Sequence, residues 1–191
     1  MIKLLKPVLV LFFASIITLA VGNKEDTMLS NLCNASESEK YEIYKNLSQL
    51  FYLHDKNTAL KYSIKMLEAA NSLKDPELIA YSHYNIGLIN YELNNMEVSL
   101  GMLQNAYEYY LNTGNDTTLG NIYYTMSRLY LIGQMYQKSA ETGTKALFYY
   151  NKKKHLPGIA AVYLTFGNMF ERLRDYPKAI QLYRIAAAFI K

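Results

Sequence analysis

The chain has no tryptophan, one cysteine, four prolines and nine glycines in 191 residues. Each scarcity excludes something. The lone Cys33 rules out an internal disulfide. Ser30-Asn31-Leu32 ahead of it make a poor lipoprotein cleavage box, so no lipid anchor is expected. So few glycines and prolines leave room for long uninterrupted helices. The three histidines, His54, His83 and His155, lack the spacing that zinc ligands need. There is no G-x-S-x-G, H-E-x-x-H or phosphate-cradling glycine loop. No charge of one sign dominates either. The net charge is +4, and setting aside Lys3 and Lys6 in the first 22 residues leaves 18 basic against 16 acidic side chains. That is no footprint for nucleic acid. No catalytic, metal-binding or cofactor-binding residue is therefore assigned.

What the chain does have is tyrosine, 19 of them. A tyrosine packs with its ring while its hydroxyl still reaches water or a partner.

Residues 1–22 carry an address. Lys3 and Lys6 precede a run from Val8 to Val21 that is apolar except for Ser15 and Thr18. Ala20 and Gly22 supply the small residues for cleavage before Asn23. This predicts a secretory signal, and hence a periplasmic or extracellular protein. The rival is an uncleaved anchor over residues 4–22, but the run falls short of the ~20 apolar residues a spanning helix needs. No second long apolar run follows, so membrane contact is expected only through this segment. Residues 23–38 show no period and are expected to be a flexible lead-in.

From there on the sequence repeats itself at a step of 40. Ala59, Ser99, Ser139 and Ala179 form one such series, and Met66, Ala106, Ala146 and Ala186 another. Lys56, Met96, Tyr136 and Tyr176 form a third. Ile86-Gly87 aligns with Met126-Ser127 and Phe166-Gly167, while Leu47-Ser48 is one residue out of phase. One deletion between Phe51 and Lys56, in a turn, accounts for that. Tyr163, Phe166, Gly167 and Phe170 lie at i, i+3, i+4 and i+7, one face of a helix. The small residues Gly87, Ser127 and Gly167 are expected to let paired helices approach, and Gly143 to ease packing. Asp75-Pro76-Glu77 reads as an N-cap, a proline at N1 and an acid in the first turn. Lys152-Lys153-Lys154 reads as a solvated helix C-terminus, where positive charge opposes the dipole. The spacing predicts eight helices, over 39–53, 56–73, 76–93, 96–113, 117–132, 135–152, 157–173 and 176–190. They form repeats at about 40–75, 76–115, 116–155 and 156–191.

The fourth copy, Tyr163-x2-Phe166-Gly167-x2-Phe170 followed by Ala179-x3-Tyr183 and Ala186, resembles the tetratricopeptide repeat, with Tyr163 where that family often has Trp. The likeness covers roughly residues 40–191. The step of 40 exceeds the family's usual ~34, and Leu111 and Asn151 stand where it has a proline. The resemblance implies an all-α, right-handed α-α superhelical solenoid of four helix-turn-helix repeats over 39–191. It implies a protein or peptide partner on a concave face lined by the first helix of each pair.

Carried over copy by copy, that face holds Lys45, Gln49 and Tyr52; then Tyr84, Asn85, Leu88 and Tyr91; then Tyr124, Arg128 and Leu131; then Asn168, Glu171 and Arg172. Some members clamp a carboxylate there. Lys45 fits one clamp position, but Gln49, Asn121 and Thr125 depart from it, so no clamp is expected. Replacing Tyr84 or Arg128 by Ala is expected to weaken binding with little effect on melting temperature. His83 aligns with Tyr123 and Tyr163 and is expected to pack. Asn34, Asn46 and Asn115 begin N-x-S/T triplets of the kind that arise by chance.

Two functions remain open at this point. One is a non-catalytic interaction scaffold in the cell envelope. The other is the N-terminal sensory region of a larger membrane histidine kinase or transcriptional regulator. The apolar end Ala186-Ala187-Ala188-Phe189-Ile190 favours more chain, a partner or self-association, since solenoids normally finish on a polar capping helix.

Overall fold

In a computed structural model of the chain, residues 22–190 are described. The expected leader over 1–22 lies almost wholly outside them. Eight long helices follow one another: α1 Glu37–Phe51, α2 Lys56–Leu73, α3 Pro76–Glu92, α4 Met96–Thr113, α5 Asp116–Ile132, α6 Tyr136–Lys152, α7 Leu156–Arg172 and α8 Tyr176–Ala188. Every end lies within two residues of the bound read from sequence. The described residues contain no strand. The chain divides at Asp75/Pro76 into two compact units.

The first unit is a hairpin of α1 on α2. Ser36 and Glu39 close a capping box at the start of α1, satisfying backbone N–H groups that no helical partner reaches. Asp55 caps α2 by accepting from the Asn57 and Thr58 N–H groups. Leu47 and Met66 are fully buried between the helices, each worth about 1.5–3 kcal/mol. At the crossing, the Ser48 and Ser63 hydroxyls meet at 2.7 Å. One expectation fails in this unit. Residues 22–30 are helical and Asn31–Asn34 form a 3₁₀ turn, where the lack of period suggested a flexible lead-in. A tertiary contact supplies what the local sequence does not: the Tyr62 hydroxyl donates to the Glu25 carboxylate. Burial first, and that bond second, push the Tyr62 phenol up to about 12.

The second unit is three hairpins, α3/α4, α5/α6 and α7/α8, stacked in chain order. The first helices lie side by side, α3 against α5 and α5 against α7. The backbones of α4, α6 and α8 stay apart from one another. The unit thus has a close-packed side made of first helices. Its interior is two clusters. Leu103, Leu119, Ile122 and Leu129 centre the first; Tyr123, Tyr150, Ile159 and Val162 centre the second.

Small residues set the hairpin crossings. A Cβ on Gly87 would fall 2.9 Å from the Leu103 side chain. One on Gly167 would run into the Tyr183 ring, and one on Gly143, at the contact between successive hairpins, into the Phe166 ring. The serines add bonds across the same contacts. Ser99 donates to the Gly87 carbonyl at 2.7 Å, and Ser127 to the Ser139 carbonyl at 2.7 Å.

The turns share one device. Lys74, Gly114 and Lys154, between pairs, have φ of 55°, 70° and 53°. Asn94, Gln134 and Arg174, within pairs, have φ of 61°, 59° and 62°. Each series steps by 40. Asn95, Met135 and Asp175 donate their N–H groups five residues back, while the left-handed residue donates three residues back. This is the Schellman closure, which occupies carbonyls that a helix end leaves open. The turn after α1 is one residue out of step and has no left-handed residue.

Candidate partner-binding site

The last turns of α3 and α5 and the C-terminal half of α7 frame a cavity of about 470 Å³ on the first-helix side of the second unit. Tyr91, Arg128, Leu131, Ile132, Thr165, Asn168, Glu171 and Arg172 line it. Tyr91, Arg128, Asn168 and Arg172, assigned to the groove face from sequence, therefore meet in one place, with Leu131 and Glu171.

Each member has identifiable support. The Arg128 guanidinium lies 4.8 Å from the Tyr91 ring centroid and 5.7 Å from that of Tyr124. Two ring faces thus hold a flexible side chain by cation–π attraction. Arg172 reaches across from α7 to donate to the Leu131 carbonyl of α5 at 3.4 Å. Tyr183 of α8 has its hydroxyl 2.7 Å from the Asn168 side-chain amide and 2.8 Å from the Glu171 carboxylate. Burial and the bond to Glu171 push this phenol up to about 12. Thr165 donates to the Ala161 carbonyl, the usual resting place of a helical threonine hydroxyl.

The other assigned residues do not join the cavity. Lys45, in the first unit, pairs with Glu42 at 3.1 Å. Gln49 is exposed on α1. Tyr52 follows the end of α1 and carries the Lys56 ammonium 3.8 Å over its ring. Asn85 and Leu88 are half-buried on α3. Tyr84 and Tyr124 pack against the first and second core clusters, respectively. Tyr84 is thus a packing residue, and its truncation to Ala would not leave the melting temperature intact. A tyrosine ring is long enough to start on one helix face and finish in the core.

Sequence reasoning missed Ile132 and Thr165, and the signal for both was present. Ile132 stands 40 residues before Arg172, and Thr165 stands 80 after Asn85. Stepping each assigned residue through every copy finds both.

Two histidines outside the cavity have structural work. Nδ1 of His155 accepts the Gly158 N–H at 3.0 Å, capping α7, and the ring stacks on Tyr150 at 5.1 Å. His83 is half-buried against the Met102 sulfur at 3.3 Å, and burial lowers its pKa. Among the described residues no group of three or more His, Cys, Asp or Glu side chains could hold a metal ion. No described helix is long and apolar enough to cross a membrane. Tyr176, Ile180 and Ile190, at the C-terminal end, are all more than half exposed or nearly so.

The fold has solved counterparts. BtubC (BKLC) from P. vanneervenii superposes with a TM-score of 0.71 at 15% identity, over 84% of this chain and 66% of that one. MamA superposes with a TM-score of 0.60 at 18% identity, over 86% of this chain and 84% of that one. The chain is a TPR-like helical solenoid. Among curated proteins, the 43 kDa receptor-associated protein of the synapse from Gallus gallus is 22% identical over 121 residues, 63% of this chain. The chain thus spans 29% of that relative's length and about two thirds of BtubC's. No family model matches.

Proposed function

We propose that this protein is a non-catalytic interaction scaffold that binds a peptide or protein segment on the side formed by its first helices. One observation carries the reading: side chains from three successive first helices, α3, α5 and α7, converge on one cavity. A helix pair that served only to bury its own apolar face would need no such convergence. The cavity offers two guanidiniums and an aromatic ring, side chains well represented where proteins bind one another, together with an amide. The close packing of first helices beside separated second helices supports a concave surface there. The sequence of residues 1–22 supports action outside the cytoplasm, in the periplasm or beyond the cell; a mature N-terminus at Asn23 is the expected readout.

The direct test places a photo-crosslinking residue at Ile132 or exposed Asn168, and at exposed Thr144 on α6 as a control. A crosslinked partner should appear from the first two sites and not from the third. Equal yields from both faces, or none from the cavity, would refute the reading.

A further inference from the structure

We infer that the cavity selects an acidic segment, and that Arg128 and Arg172 bind carboxylate side chains within that segment and not a chain terminus. The inference rests on the scaffold reading and specifies the chemistry of its partner.

The argument is an account of which groups at the cavity are already engaged. Its negative groups have partners. The Tyr91, Leu131 and Glu171 carbonyls, at the ends of α3, α5 and α7, accept N–H groups from Asn94, Gln134 and Arg174 at 3.1, 3.1 and 2.9 Å. These bonds close helix ends that would otherwise present partial negative charge. The Glu171 carboxylate accepts from the Tyr183 hydroxyl.

Its positive groups are less engaged. Neither Arg128 nor Arg172 takes part in an ion pair among the described residues. Arg172 gives one bond, at 3.4 Å, to a carbonyl that already has the Gln134 N–H. A guanidinium has five N–H donors in a planar fork, shaped to take a carboxylate in two parallel bonds. The Tyr91 and Tyr124 rings attract the Arg128 cation without supplying it a carboxylate. The one proton of the Tyr183 hydroxyl goes to Glu171, so Asn168, 2.7 Å from that hydroxyl, meets its oxygen with one amide N–H and keeps the other to donate.

The two forks come from different helices, Arg128 from α5 and Arg172 from α7. Two separate forks suit two carboxylates on one segment better than a single terminal carboxylate. Half-exposed Ile132 and the Tyr91 ring, which line the same cavity, fit an apolar side chain flanking the acids.

The test uses the full chain and three fluorescein-labelled octapeptides. The first alternates aspartate and leucine and is capped at both ends. The second has asparagine for each aspartate. The third is the asparagine peptide with a free terminal carboxylate. The acidic peptide should bind at least about tenfold tighter than its amide counterpart, and less tightly as salt is raised. Arg172→Gln should remove about tenfold of that affinity, and Arg172→Lys, which keeps charge but not the fork, less. Arg172 is exposed and Leu131 keeps its backbone bond, so this variant folds even if Arg128→Gln does not. Equal binding of the first two peptides overturns the inference while the groove reading stands on its crosslinks. Preference for the third peptide, failure of the acidic peptide to bind, or full affinity in Arg172→Gln also overturns it.

Discussion

The Arg128 guanidinium of α5 lies 4.8 Å over the ring of Tyr91 on α3, joining the first helices of two successive repeats. Tyr91 is 9% exposed, so its ring belongs both to the core and to the cavity wall. Binding face and packing are therefore coupled at this point. Arg128→Ala should cost about 1 kcal/mol of stability through the lost cation–π contacts. Tyr91→Ala should cost about 3–5 kcal/mol, as for other large buried aromatics. Urea unfolding checks both. An Arg128→Ala variant as stable as the parent would show that the stacking contributes nothing.

Gly167 tests the hairpin crossings. An alanine there meets the Tyr183 ring, and that ring is held by its hydroxyl at Asn168 and Glu171. The obstacle cannot swing away without losing those bonds. Gly167→Ala should destabilise by about 1–3 kcal/mol. In the double variant with Tyr183→Leu the added cost of the alanine should shrink, because a flexible chain replaces the pinned ring. Thermal melts of the four proteins give the coupling; simple additivity would contradict the steric account.

Much of this was legible in the sequence because it is periodic. The small residues Gly87, Ser127 and Gly167 sit at the crossings where their spacing placed them. What the sequence hid depends on contacts between distant segments. Residues 22–30 have no period of their own, and Glu25 meets Tyr62, 37 positions away. Lys152 and Lys153 read as a solvated helix end, yet they reach the buried carboxylate of Asp116 on α5. Lys74, Lys154 and Arg174 hold left-handed turns that sequence rules reserve for glycine or asparagine. Only the alignment with Gly114 and Asn94 gives them away. Tyr84, assigned by register to the groove face, packs against the first core cluster, because register says nothing about how far a ring extends.

Those turns give a clean conformational test. Around Gly114 a Cβ would touch nothing within 4 Å, so any cost of alanine comes from φ of 70° and not from crowding. Gly114→Ala should destabilise by about 1 kcal/mol. The reverse change at an aligned position, Lys154→Gly, should stabilise by about 0.5–1 kcal/mol, since Lys154 is exposed and in no ion pair among the described residues. Chemical denaturation midpoints should move in opposite directions. Movement in the same direction would mean that the left-handed backbone is not what the two sites share.

Asp116 makes stability pH-dependent in a predictable direction. The Lys152 ammonium, 2.9 Å away, holds this carboxyl below its ordinary value against the opposing effect of burial, and Lys153 at 3.4 Å adds to it. A carboxyl with a lowered folded pKa binds protons more weakly folded than unfolded. Its contribution is therefore full above the ordinary carboxyl range and is lost as pH falls through the lower, folded value. Asp116→Asn removes the titration and the pairing together. The stability gap between parent and Asp116→Asn should be widest near neutral pH and close progressively on acidification. Both lysines are about half exposed, so added salt should narrow the neutral-pH gap. A gap that stayed constant down to strongly acidic pH would assign Asp116 to packing or helix capping, with no part for the charge.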